Sequence, residues 1–533
     1  AAGYIQIEAV ADVKTRYSRG CETVEDIARL AARKGVDAVL FGDRARDSLE
    51  YGAWPLERIL KKTLSGPSLL ATGASTYLSE INVLNDQLKD TVLIPGTEVT
   101  PFYYWTGSSW EDDLVAHDAD RHLWLLGLPT AESYEQLPIV GNNFSARYAG
   151  RFQNAAIGAA FLFLATLVLA VRNRRRWLWV PLAIFFFLLA LNNHPFRSSP
   201  FDPYQGDQGL LPTQEVIDYV KEKGGMAFLS GLESPPEPRT VGSVGFETAP
   251  YPDDLIHATG LTGFQAASPS PVLAVQPGQQ WDRALLDHVS GKRAPVWGYG
   301  GNDFACENME GPLFGSVRTV FLVREKTREA ILDAMALGRM YAVREPDDSR
   351  LSLDEFLVVE QALGHKAVMG ETLVSTGVPE IRLKIRATRG GKKTARLTLV
   401  RNGEVLREET VSLPYRMVHR DVNVAQEGTV YYRVLVNASE VDHLVSNPIF
   451  VHFPGRAAET VQQAKQPSKP ARPLAPPAQP DVPAKPESAS EAAPEEVAAL
   501  KPAPGTPAAA GSAPQPEKPE TPQPEPPPPP KPV

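Results

Sequence analysis

Cysteine is nearly missing from this chain: there are two in 533 residues. That excludes a disulfide-built scaffold and leaves room for one bridge. A surplus of positive charge is missing as well. The formal charge is −9, with no basic stripe to match a phosphate backbone, so nucleic acid is not an expected partner. Residues 455–533 contain no aromatic side chain, yet hold 23 of the 49 prolines. Such a stretch cannot bury a core, and a disordered, partly polyproline II tail is expected over 454–533. It reads as a solvated spacer. The alternative is that its end, "EPPPPPKPV", docks into an aromatic groove.

Charge is also missing from two internal runs, "NAAIGAAFLFLATLVLAV" (154–171) and "WLWVPLAIFFFLLAL" (177–191), which flank "RNRRR" (172–176). Eighteen residues at 1.5 Å each span roughly 27 Å, close to the thickness of bilayer hydrocarbon. A transmembrane helical hairpin over 151–195 is the expectation, with lipid contact through 154–191. A helical hairpin buried in a soluble core is the alternative. The positive-inside rule puts the arginine loop in the cytoplasm and both large flanks on the outer, periplasmic face of a cytoplasmic membrane. The chain opens "AAGYIQ", as a product of signal-peptide removal or of an omitted first helix would.

What remains alternates strands and helices. "VDAVLFGD" (36–43), "TVLIPGTEV" (91–99) and "HLWLLGL" (122–128) read as buried parallel strands. "MAFLSG" (226–231), "LTGFQAA" (261–267) and "APVWGYGGND" (294–303) read as further strands. Helices are expected at 23–34, 76–88, 211–225 and 281–291, the third with Thr213 as N-cap and Gly224 at its end. Strand–helix alternation implies a parallel sheet. Residues 350–453 change to short alternating strands, the pattern of an antiparallel β-sandwich, expected to serve packing or partner binding. The α/β part thus splits into 1–150 and 196–349 around the hairpin. "GYGGN" (298–302) lacks the context of a phosphate loop and reads as a strand-end turn. His257, His288, His365, His419, His443 and His452 lack ligand spacing and read as structural.

The run "VADVKTRYSRGCETVEDIARLAARKGVDAVLFGDRARDSLEYG" (10–52) resembles the opening of the PHP superfamily, named for polymerase and histidinol phosphatase. Members begin His-x-His-Thr…Tyr-Ser-x-Gly, then a helix, then a strand ending Thr-Asp-His. "PGTE" (95–98) resembles a later Gly-x-Glu, "GGMAFLSG" (224–231) a strand that normally ends in histidine, and "GNDFAC" (301–306) a closing Asp-x-His. The resemblance covers about 1–345 without the hairpin. It implies a distorted (β/α)7 barrel with a two- or three-metal site at the strand C-terminal ends, and phosphoester hydrolysis as the usual activity.

Carried over position by position, most of the implied ligands are gone. The first histidine pair falls on Asp12 and Lys14. The histidine of Thr-Asp-His falls on Arg44, beside a retained Asp43. The bridging carboxylate survives as Glu98. A fourth-strand histidine is matched by His122, with His117 as alternative. The fifth-strand histidine falls on about Gly231, and the last pair keeps Asp303 with Ala305 in place of histidine. Lysine and arginine offer no lone pair to a metal, whereas neutral imidazole suits Zn, Mn and Fe. Lys14 and Arg44 are therefore expected to replace the lost positive charge and to bond Glu98, Asp43 or Asp303.

Three readings follow. One is a catalytically inactive PHP-like module of the cell envelope, binding or scaffolding, with no cofactor. The second is a phosphoesterase with a carboxylate-rich site from Asp12, Asp43, Glu98, His122 and Asp303, holding a metal such as Mg, Mn or Zn. The third is an unrelated α/β fold. An envelope protein partner is expected through the β-sandwich or the tail. The barrel resemblance further implies that the first and last strands are neighbours, so Cys21 and Cys306 are expected to bond in an oxidising compartment; the alternative is two unrelated small buried residues. If 122–128 and 211–223 form one strand–helix unit, the hairpin is an insertion at the mouth, and the mouth faces the membrane.

Overall fold

The run Ala38–Phe41 is buried at every position, which requires neighbours on both edges and cover on both faces. Its neighbours explain the whole α/β part. The computed structural model describes residues 3–454, apart from 109–110, 234, 308–310, 346–348, 363 and 390–391. The expected tail lies, from 455 on, outside the described residues. Strand β1 (Ile5–Val13) pairs in parallel with β2 (Ala38–Phe41, continued by 43–44). Strand β2 pairs in parallel with β3 (Val92–Ile94, continued by Gly96–Val99). Strand β4 (His122–Leu126) joins β3 to β5 (Met226–Ser230). Then β6 (Gly263–Ala267) and β7 (Trp297–Phe304) follow in parallel, and β7 pairs back onto β1. The pairings return to their first strand. Beyond the circuit, β8 (Val317–Val323) runs antiparallel to β1, and β9 (Met340–Arg344) antiparallel to β8.

One expectation fails in this circuit. Strand β4 is not parallel: it runs antiparallel to both β3 and β5. Its start, His122, therefore lies at the rim where the other strands end, and the chain leaves β4 at the opposite rim. The physical reason for the miss is that "HLWLL" is apolar on both faces, and such a run carries no direction in its pattern. The chain therefore does not pass from β4 into the hairpin at the mouth, although the hairpin's end, Asn192, bonds Arg58 and Pro55 in the segment that follows β2.

Helix α1 (Val24–Arg33) is started by a complete capping box between Thr23 and Asp26. Helix α2 (Ala74–Gln87) follows the second strand. The two apolar runs form helices α3 (Ala149–Arg172) and α4 (Arg176–Asn192), packed on each other, with Phe163 and Phe187 rings 5.3 Å apart. Helix α3 is long and apolar enough to cross a membrane, and α4 is apolar but shorter. Their large side chains, among them Ile157, Phe161, Trp177 and Ile184, are exposed. Helix α5 (Leu211–Glu222) begins two residues before the expected cap: Pro212 occupies its first turn and Thr213 lies inside. Proline's fixed φ suits a first turn and needs no partner for a missing N–H.

Residues 351–453 form two facing sheets. Leu351–Glu360, His365–Ala367, Pro379–Ala387 and Tyr415–Arg420 make one, all antiparallel. Thr394–Arg401, Glu404–Ser412, Gly428–Asn437 and Ile449–Phe453 belong to the other, where Thr372–Val374 adds one parallel pair. His443–Ser446 pairs with β9, so the two parts share a sheet. The joint also holds a buried ion pair. Arg433 donates from Nε and Nη2 to the two oxygens of Asp282 at 2.7 and 2.6 Å, on helix α6 (Gln280–Val289). Both side chains are fully buried.

Candidate functional site

The C-terminal end of β1 is irregular, and the irregularity builds the site. Register shifts between Ala11 and Val13 against both β2 and β7 leave Asp12 as a bulge residue with φ +60°. Asp303, near the end of β7, has φ +51°. Aspartate tolerates the left-handed region better than most residues, and a bulge re-aims the side chain it carries. Gly42 makes room for the result: a Cβ there would stand 2.0 Å from Asp12 Oδ1.

Lys14 is the centre of the arrangement. Its side chain is 6 % exposed, and the ammonium lies 3.0 Å from Asp12 Oδ1, 2.7 Å from Asp303 Oδ1 and 3.7 Å from Glu98 Oε2. Burial opposes its charge, but Asp12, Asp303 and Glu98 outweigh burial and hold its pKa well above the ordinary value. Arg44 takes the other side of Glu98, with Nε 3.2 Å from Oε2. It also reaches Asp47 at 3.4 Å and His122 Nε2 at 3.1 Å. Burial pushes the His122 imidazole down to about 4, against the pull of Glu98 and with the push of Arg44. The ring is therefore neutral near neutral pH. Nε2 accepts from Arg44, which can only donate, and Nδ1–H donates to Thr100 Oγ1 at 3.2 Å.

The three carboxylates behave differently. Burial raises Glu98, yet His122, protonated in the acid range where Glu98 titrates, joins Lys14 and Arg44 to overcome it and hold the group well below the usual range. Burial dominates at Asp12 and pushes it up to about 7 despite Lys14. Asp12 Oδ2 is buried without a hydrogen-bond partner. Among the described residues, Asp43 makes no ion pair. It accepts from Thr15 N–H at 2.7 Å, Thr15 Oγ1 at 2.9 Å and Ser18 Oγ at 2.7 Å.

The remaining sequence-derived positions close the rim. Gly231, φ +65°, donates its N–H to Gln265 Oε1 at 3.0 Å. Ala305 O accepts from Cys21 N at 3.0 Å. Cys21 and Cys306 are disulfide-bonded, with Cα atoms 5.1 Å apart. His117 is not at this site: it sits in a separate small sheet, stacked on Tyr104 and bonded to Thr106. Sequence reasoning missed Gln265, whose amide links Ser230, Gly231 and Gly301 across three strands. The signal was one polar residue in the apolar run "GFQAA". It also missed the floor, where Trp124, Phe228 and Tyr299 pack with ring centroids 4.7–5.6 Å apart.

As arranged, this donor set does not fit a metal ion. The space between Asp12, Glu98 and Asp303 that a cation would take is held by the Lys14 ammonium. Among the described residues, the one trio of His, Cys, Asp or Glu side chains with ligand atoms all within 4.8 Å of one another is Cys21, Glu22 and Cys306. Two of those three are bonded to each other.

No family model matches the sequence, and no curated protein matches it. Among solved structures, the chain is similar to a two-domain protein of Bacteroides vulgatus containing a predicted PHP-like metal-dependent phosphoesterase. The identity is 11 %, with 81 % of this chain and 91 % of that one covered, at a TM-score of 0.32. It is also similar to a protein of Bifidobacterium adolescentis assigned as a metal-dependent phosphoesterase. There the identity is 15 %, with 57 % and 90 % covered, at a TM-score of 0.27. Both likenesses are too distant to bear weight alone; the strand pairings and the site stand without them.

Proposed function

We propose that this chain is a PHP-like protein whose metal centre has been replaced by an internal ion-pair network. On this reading the circuit of strands is a distorted (β/α)7 barrel, anchored by the α3–α4 hairpin in the cytoplasmic membrane with both flanks on the outer face. It serves as a non-catalytic binding or scaffolding module of the envelope. The single observation that carries the reading is Lys14 Nζ among Asp12, Glu98 and Asp303. A fixed ammonium supplies the charge that keeps buried carboxylates tolerable, but it cannot polarise a phosphoryl oxygen or activate a bound water as a metal does. The disulfide suits an oxidising compartment, and the exposed apolar faces of the hairpin suit lipid.

One observation favours the alternative, a metal-dependent phosphoesterase using Asp12, Asp43, Glu98, His122 and Asp303. The partnerless Asp12 Oδ2 is an acceptor waiting for a cation. Lys14 would first have to leave. Elemental analysis of the full chain, purified in the presence of Mg, Mn and Zn, separates the two. The expected result is a substoichiometric metal content unchanged by Glu98→Ala, and no hydrolysis of an aryl phosphate. Stoichiometric metal lost in Glu98→Ala would overturn the proposal.

A further inference from the structure

Where the hairpin rejoins the rest of the chain, a cavity of about 260 Å³ is lined by Arg58, His194 and Arg197 together with Phe144 and Phe196. A second, more apolar opening shares Arg58, Phe144, His194 and Phe196 and continues onto Ile59 and Leu191. Leu191 belongs to the last turn of α4. Polar space thus runs into apolar space at the end of the hairpin.

The charges in the polar part are unequally satisfied. Arg58 pairs with Asp202 at 3.0 Å and bonds Asn192 at the hairpin's end. Lys61 pairs with Glu50 at 2.7 Å. Arg197 has no carboxylate partner among the described residues. Its guanidinium lies 3.9 Å from the Phe152 ring centroid, and Nε is buried with no acceptor. His194 Nδ1 is buried without a partner too. Arg197 is half-buried; a guanidinium partly withdrawn from water without a bonded anion carries a cost, and an oxyanion removes it with charge-assisted bonds. Burial first, and then Arg58, lower the Arg197 pKa to about 10 against the weaker pull of Asp202 and Glu57, two carboxylates that also line the cavity but make no ion pair with Arg197 among the described residues. In the lining itself Phe144 and Phe196 are exposed, and so are Trp54 and Leu60 in the chain segment that carries Arg58. Exposed aromatics beside cations at the end of an apolar helix are what a headgroup layer accommodates.

We infer that this cavity binds the phosphate of an anionic phospholipid, with Arg197 and Arg58 on the phosphate and the acyl chains leaving past Ile59 and Leu191. The inference rests on the membrane reading above and adds a lipid class to it.

The test uses the full chain reconstituted into nanodiscs of phosphatidylcholine alone or with phosphatidylglycerol, with retained lipid counted by native mass spectrometry. Wild type is expected to retain phosphatidylglycerol over phosphatidylcholine, and Arg197→Gln to lose roughly tenfold of that preference, the size of one charge-assisted bond. Leu286→Ser, on the exposed surface of α6 and in the lining of neither opening, is the control expected to keep it. Inorganic phosphate at millimolar concentration is expected not to displace the lipid; displacement by phosphate alone would overturn the lipid assignment. A chain that enters both bilayers and shows equal retention in wild type and Arg197→Gln overturns the inference only. A chain that enters neither bilayer overturns the membrane reading and the inference with it.

Discussion

The Lys14 ammonium lies 2.7 Å from the Asp303 carboxylate, across 289 residues of chain. This contact fastens the bulged end of β1 to the end of β7, where the circuit of strands closes. The same ammonium also neutralises Asp12 and Glu98, which are far more buried than Asp303. Lys14→Met would leave those two carboxylates without their shared cation. The expected cost is about 3–5 kcal/mol, the range for breaking a buried pair from one side. Urea unfolding with unchanged slope checks it; a loss below about 1 kcal/mol would mean the network contributes little.

Two groups at the site make opposing pH demands. Asp12 is raised by burial to about 7, so the folded state binds its proton more tightly than the unfolded state does. Stability from this group is present at low pH and falls as pH rises from about 4 to about 7. His122 is lowered by burial to about 4, so its contribution is present above its ordinary pKa and falls as pH drops from about 6.5 to about 4. The two slopes oppose each other over the same window. His122→Gln is expected to unmask the first, making the variant lose stability relative to wild type as pH rises toward 7. Asp12→Asn is expected to do the reverse on acidification. Melting temperatures across pH 4–7.5 check the signs; parallel profiles for the two variants would show that neither group titrates there.

The residues that carry this network were readable in the sequence because each ends an apolar strand: Asp12 after "AVA", Asp43 after "AVLFG", Glu98 in "PGTEV". Burial of the strand fixes where its end lies, and a polar residue at that end faces the rim. The direction of β4 was not readable, since a strand apolar on both faces gives the same pattern either way. Asp43 was legible as a site residue but not as a partner of Thr15 and Ser18, because those hydroxyls belong to the turn after β1, 28 and 25 residues away. Arg433 inside "TVYYRVLV" was a visible anomaly, a charge in a run otherwise fit for a core. Its partner Asp282 lies 151 residues away in a helix, and no local pattern joins the two.

The Cys21–Cys306 bond closes a loop of 285 residues beside that same seam. Chain-entropy arguments favour long loops, and losing such a bond typically costs about 2–5 kcal/mol. Cys21→Ser with Cys306→Ser is expected to fold with intact secondary structure but to unfold at lower urea by that amount. Thiol titration of denatured, unreduced protein from an oxidising compartment is expected to find no free thiol; two free thiols would refute the bond.

The joint between the ring and the β-sandwich rests on Asp282 and Arg433, both fully buried. Asp282 is the acceptor for more than the guanidinium: Tyr431 OH donates to Oδ1 at 2.8 Å and Gly278 N–H to Oδ2 at 2.7 Å. Arg433→Met therefore leaves a buried carboxylate with neutral donors only, and about 3–5 kcal/mol of destabilisation is expected. Adding Asp282→Asn removes the unpaired charge while an amide oxygen still accepts one of those donors. The double variant is accordingly expected to be more stable than Arg433→Met alone, a coupling of the sign that identifies a charge pair rather than lost packing. Arg433 also lies 4.9 Å over the Trp281 ring, so methionine keeps part of that contact and the comparison reports mainly on charge. Urea unfolding followed by tryptophan fluorescence and by far-UV dichroism checks both points. A double variant no more stable than the single one would show that Arg433 acts through its volume.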